Sequence, residues 1–132
     1  MASTQKRPPA AARKFNKVAV KAADSRFVPL WAAVEHHGRK SGRTYTTPVA
    51  IVAATPDALY IGLPWGRETD WVRNLRAADG GTVRWKGQRY AASDPRFVGR
   101  NEALAAARPM QRRMMSRWPL EDFLRLHREP VG

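Results

Sequence analysis

The chain has 132 residues, enough for one domain, and an ordinary apolar fraction of 43%. Its 24 Lys and Arg against 11 Asp and Glu leave a net charge of +13. That field calls for an anionic partner: nucleic acid, an acidic membrane surface, or a small molecule carrying phosphate or carboxylate. The absence of cysteine excludes disulfides, thiol nucleophiles and cysteine-ligated metals, and no apolar run approaches the ~20 residues of a membrane helix.

Residues 1–12 hold Lys6, Arg7, Pro8, Pro9 and several alanines without hydrophobic periodicity, and read as a disordered basic arm. No apolar stretch follows that would make the arm a secretory signal, so the expected location is cytoplasmic, with at most a peripheral contact to an anionic membrane. From residue 13 the pattern changes. Phe15, Val18, Ala19 and Ala22 recur at helical spacing, with Lys14, Lys17 and Lys21 opposite, predicting a short amphipathic helix. Residues 27–36 and 45–54 are apolar runs of strand length on either side of Gly38-Arg39-Lys40-Ser41-Gly42-Arg43, which reads as a tight turn. A third strand over 58–63 follows the turn at Thr55-Pro56-Asp57. Three strands with short connections predict an antiparallel meander, and no Gly-rich dinucleotide or P-loop fingerprint occurs.

Thr69 is the expected cap of a helix over Asp70–Ala78 that stops at Gly80-Gly81, with Trp71, Val72 and Leu75 on its buried side. Residues 82–85 and 88–92 predict a hairpin through Lys86-Gly87. A helical stripe over 102–118, interrupted at Pro109, and a last strand over 123–127 complete the order. Six or so strands with two or three helices make a small, mainly β antiparallel barrel, a single domain over 13–132.

The turn at 38–43 carries the strongest chemical signal. Arg39, Lys40 and Arg43 crowd positive charge beside the Ser41 hydroxyl and backbone N–H groups, a set that suits a phosphate. A solvated basic hairpin tip is the competing reading of the same residues. The N-terminus of the helix at Asp70 is a second anion candidate, but Glu68 and Asp70 already place negative charge there, which favours the turn. His36 and His37 are strand neighbours and point to opposite faces, so they do not make a metal site together.

Gly-Arg-Lys-Ser-Gly-Arg at 38–43, then Thr-Thr-Pro-Val at 46–49, then Asp-Trp-Val-Arg-Asn-Leu-Arg at 70–76 resemble the deazaflavin-dependent nitroreductase family of split β-barrel oxidoreductases. The resemblance covers residues 15–90 and implies the deazaflavin coenzyme F-420 as cofactor, with FMN as the alternative. It implies hydride transfer to a small quinone, enone or nitro compound, the cofactor supplying the chemistry and the protein orientation and dryness. By position, Arg39, Lys40, Ser41 and Gly42 would hold the phosphate and acidic tail. Thr47, Pro48, Val49 and Ala50 would line the ring, and Trp65, Gly66 and Arg67 would close on the tail from the other side. Trp71 and Asn74 would supply packing and hydrogen bonding. One or two of Trp65, Trp71, Trp85 and Trp118 would wall a flat cofactor slot. Relatives that reduce quinones place tyrosines near the substrate, where this chain has Ala50 and, over 100–118, methionines and arginines. No catalytic residue is therefore assigned. A nucleic-acid-binding module and a non-catalytic deazaflavin carrier are the alternative functions; no specific nucleic acid is expected under the first reading, and a dimer is compatible with it.

Overall fold

The computed structural model describes residues 30–131. The basic arm, the helix expected over 15–22 and the start of the first strand lie outside them. Six strands appear in chain order: β1 (Trp31–His37), β2 (Thr44–Thr55), β3 (Ala58–Gly62), β4 (Gly80–Trp85), β5 (Gln88–Val98) and β6 (Phe123–Pro130). Three helices join them: α1 (Asp70–Ala78), α2 (Arg100–Ala106) and α3 (Pro109–Ser116). The meander β1-β2-β3 continues through β6, β5 and β4, and β4 returns to β1, so the sheet closes on itself with every pair antiparallel. Closure leaves no free edge among these strands.

Alternation along the strands sorts the apolar residues into two cores. Ala32 and Val34 of β1, Val49 and Ile51 of β2, Leu59 and Ile61 of β3, Val83 and Trp85 of β4 and Leu124 and Leu126 of β6 fill the interior. Val72 and Leu75 of α1 join them, so this helix plugs one end of the barrel. The second core lies outside, where Val52, Ala53, Ala58, Tyr60 and Phe123 are covered by Ala103 of α2, Ala107, and Met115 of α3. A bulge between Ile51 and Ala53 lets one strand serve both, because it shifts the side-chain parity of β2 midway.

Three expectations change in detail. Thr69 starts α1, but its hydroxyl makes no cap bond and is buried without a partner among the described residues. The stripe over 102–118 is two helices: Pro109 cannot donate and restrains Arg108 to extended backbone, so α2 ends and α3 begins afresh with Pro109 at its first position. The last hairpin strand runs on to Val98, because a bulge between Ser93 and Arg96, with Asp94 at φ 52°, absorbs one residue and keeps the pairing with β6. Among the described residues no helix is long and apolar enough to cross a membrane.

Candidate functional site

β1 and β2 meet in the turn 38–43, and what holds that turn in shape lies behind it. Gly38 N–H donates to the Arg43 carbonyl at 2.8 Å and Gly42 N–H to the Gly38 carbonyl at 2.9 Å. Gly42 sits at φ +72°, the left-handed region where a side chain is strained. A Cβ on Gly38 would come within 2.5 Å of the Ser41 hydroxyl. Gly42 is therefore required by the backbone, whereas a side chain at Gly38 would displace the Ser41 hydroxyl.

The interior parity of β1 continues from Ala32 and Val34 to His36, which is 3% exposed. Its Nε2 lies 2.9 Å from Thr47 Oγ1 and its Nδ1 lies 3.0 Å from Asn74 Nδ2. The protonation pattern follows from the far side of Asn74. Its Oδ1 receives two donors, the Arg39 backbone N–H at 3.1 Å and the Arg39 guanidinium at 2.8 Å. The amide nitrogen must then face His36, so Nδ1 accepts and Nε2–H donates to Thr47. Burial pushes the His36 pKa down to about 4, with the Asp70 charge opposing that shift and His37 adding to it. His36 is neutral at pH 7. Tyr45 stacks on its ring, with centroids 5.8 Å apart. Arg39 also reaches Asp70 Oδ1 at 3.5 Å, tying the turn to the first residue of α1. The two anion candidates of the sequence are thus one place.

This bracing decides which groups of the turn face outward. The N–H groups of residues 38, 39, 42 and 43 are taken by Arg43, Asn74, Gly38 and the Ser41 hydroxyl, the last at 3.2 Å. Lys40 and Ser41 keep backbone N–H groups without a partner among the described residues, and both side chains are exposed. The Ser41 oxygen already accepts from Arg43, but its proton is free to donate. An exposed ammonium, a hydroxyl donor and two N–H groups in adjacent residues can receive a small oxyanion.

The other sequence candidates divide. Thr47 and Val49 point into the barrel, Thr47 to His36 and Val49 into the interior core, whereas Pro48 and Ala50 have the opposite parity. Trp71 is half-buried against the interior core. Asn74 spends its amide on His36 and Arg39. Trp65 is 43% exposed beside Gly66 at φ +85°. Arg67 pairs with Asp122 at 3.0 Å and lies 4.7 Å over the Phe97 ring, so its charge already has partners. Sequence reasoning missed His36 and Asp70 as parts of the brace. The strand parity that separates His36 from His37 was the available signal for the first: His37 is exposed, 3.2 Å from Thr44 Oγ1.

No protein-family model matches the chain, and no curated protein matches it. Solved structures do. An F420-H2-dependent reductase, FDR-A, superposes with a TM-score of 0.50 at 16% identity over 74% of this chain and 93% of its own. A protein described as a domain-swapped dimer superposes with a TM-score of 0.51 at 12% identity, over 90% of this chain and 99% of its own. At such identities the likeness is one of fold, and the expected class, a small antiparallel split-type barrel with flanking helices, holds.

Proposed function

We propose that the chain is a deazaflavin-dependent oxidoreductase that binds coenzyme F-420 at the 38–43 turn and reduces a small quinone, enone or nitro compound. The observation that carries this reading is the division of labour in the turn: His36, Asn74, Arg39 and Asp70 brace it from behind, leaving Lys40 and the Ser41 N–H and hydroxyl for an anion. That donor set fits the phosphate and acidic tail of F-420. The motif order in the sequence and the fold shared with an F420-H2-dependent reductase support the same assignment.

When bound, the coenzyme supplies the hydride. The chain's own residues do the rest. Lys40 and Ser41 receive the anionic tail, with Gly42 holding the shape of the turn and Arg39 contributing field and position from its pair with Asp70. Pro48, half-buried on the outer parity of β2, offers the ring an apolar contact, Ala50 of the same parity is buried beneath it, and Trp65 is an exposed aromatic for the opposite side. Thr47 and Val49 support that strand from inside. The reading treats 13–132 as one cofactor-binding domain with the arm 1–12 appended, and a homodimer is compatible with it, as a fold neighbour is a domain-swapped dimer.

Two variants test the division of labour. Lys40→Ala removes a charge-assisted contact, typically worth about 1.5–3 kcal/mol, so F-420 affinity should fall by roughly tenfold or more while the melting temperature stays put. Arg39→Ala should weaken binding and also lower stability, because it strips Asn74 and Asp70 of their shared partner. Isothermal titration and thermal melts of both variants separate the two effects. Unchanged affinity in Lys40→Ala would place the anion elsewhere.

A further inference from the structure

α3 presents a surface that the proposed cofactor site does not use. Met115 and Met114 pack inward on the second core, and the helix is clamped there by Arg100. That guanidinium donates to the carbonyls of Met115 at 2.5 Å, Trp118 at 3.0 Å and Leu120 at 2.9 Å, satisfying backbone acceptors at the C-terminal end of α3. The opposite face carries Met110, Arg113 and Arg117, spaced i, i+3, i+7 and all exposed, with Arg108 and Arg112 also exposed beside them. Met110 is 83% exposed, the most exposed of the large hydrophobic residues described.

The charge on this face is uncompensated. Arg39, Arg67, Arg84, Arg89 and Arg96 all pair with carboxylates. Arg113 and Arg117 have no side-chain partner among the described residues, and no Asp or Glu occurs between Glu102 and Glu121. A rigidly clamped helix with unpaired arginines around a protruding apolar side chain has the pattern of an interfacial contact. Arginines settle at headgroup level, and the apolar chain enters the boundary below.

We propose that the outer face of α3 docks the protein on an anionic lipid surface, with Arg113 and Arg117 on the headgroups and Met110 inserted. The apolar member decides between lipid and nucleic acid as partner. A nucleic-acid contact would gain from aromatic stacking or amide hydrogen bonding, and Met110, Arg113 and Arg117 supply neither an aromatic ring nor an amide side chain. The proposal is independent of the cofactor assignment.

The test uses the full chain and co-sedimentation with phosphatidylcholine vesicles, with and without phosphatidylserine, at low and physiological salt. Wild type should partition onto the serine-containing vesicles only. Arg113→Glu with Arg117→Glu should lower that partition by roughly tenfold or more, since each basic residue near an anionic surface contributes severalfold. Lys86→Glu with Arg89→Glu, at the tip between β4 and β5, removes the same net charge and should change it much less. Met110→Asp should weaken binding and Met110→Leu should keep it. Thermal melts confirm that each variant is folded. Equal loss in the two charge-reversed pairs would mean that net charge alone binds the membrane, and would overturn the proposal. So would no loss in either pair, or a duplex DNA or RNA held more tightly than the vesicles and released by the α3 pair.

Discussion

Asn74→Ala should destabilise the protein by about 3 kcal/mol or more and abolish tight F-420 binding with it. The side chain is 4% exposed and serves three bonds. Alanine leaves the buried His36 Nδ1 without its partner, at about 1–3 kcal/mol, strips the part-buried Arg39 N–H of its acceptor, and removes a charge-assisted bond as well. The turn loses the anchor that fixes Lys40 and Ser41, so affinity falls even in the molecules that stay folded. Urea unfolding gives the first quantity, and titration of the folded fraction gives the second. Asn74→Asp is the informative companion. Its carboxylate still accepts from Arg39 but offers His36 Nδ1 an acceptor instead of a donor, which favours the protonated ring and should raise the His36 pKa. A loss below 1 kcal/mol in Asn74→Ala would show that water replaces the amide and that the brace is not cooperative.

Stability should also fall as the pH drops from 7 toward 4, and His36 should account for much of the fall. Unfolded, the imidazole takes up its proton near 6.5; folded, burial holds it off until about 4. Between those values the unfolded state binds more protons, so stability decreases as pH falls through the window. Above 6.5 this group contributes no pH dependence, and below 4 its contribution is flat. A depression from 6.5 to about 4 corresponds to about 3 kcal/mol across the window. Carboxylates titrate in the lower part of the same range, so the quantity to measure is the difference between wild type and His36→Gln. The two curves should converge as the pH falls, since the variant has no proton to take up at this position. Parallel curves would mean that the buried ring titrates normally.

The frame of this protein was readable because its signals are local. Gly38 and Gly42 mark the turn, the second at a left-handed φ that favours glycine, Trp71, Val72 and Leu75 give α1 its spacing, and Gly80 follows its end. Pro109 marked the break between α2 and α3, since a residue without an N–H starts a helix more easily than it continues one. What escaped the reading depends on contacts between distant residues. His36, Arg39, Asp70 and Asn74 are brought together by the closure of the barrel onto α1, and nothing in their spacing announces a shared hydrogen-bond chain. For the same reason Arg39 looked like a free cation when it is a braced one. The bulge in β2 changes side-chain parity with neither glycine nor proline at Val52 to betray it, whereas Pro95 was an available sign of the bulge in β5. The family resemblance grouped Pro48 and Ala50 with Thr47 and Val49 as one lining, although alternate parity divides them between the two faces of the strand.

On the function proposed above, the exposed donors of Lys40 and Ser41 select a cofactor by its anionic tail. The most direct measurement is a titration of the purified protein with oxidised F-420 and, separately, with FMN, followed by quenching of tryptophan fluorescence and repeated with Lys40→Ala. F-420 binding should be saturable, tighter than FMN binding and weakened tenfold or more in the variant, while whatever FMN binding exists changes less. FMN binding as tight as or tighter than F-420, or F-420 binding indifferent to Lys40, would contradict that function.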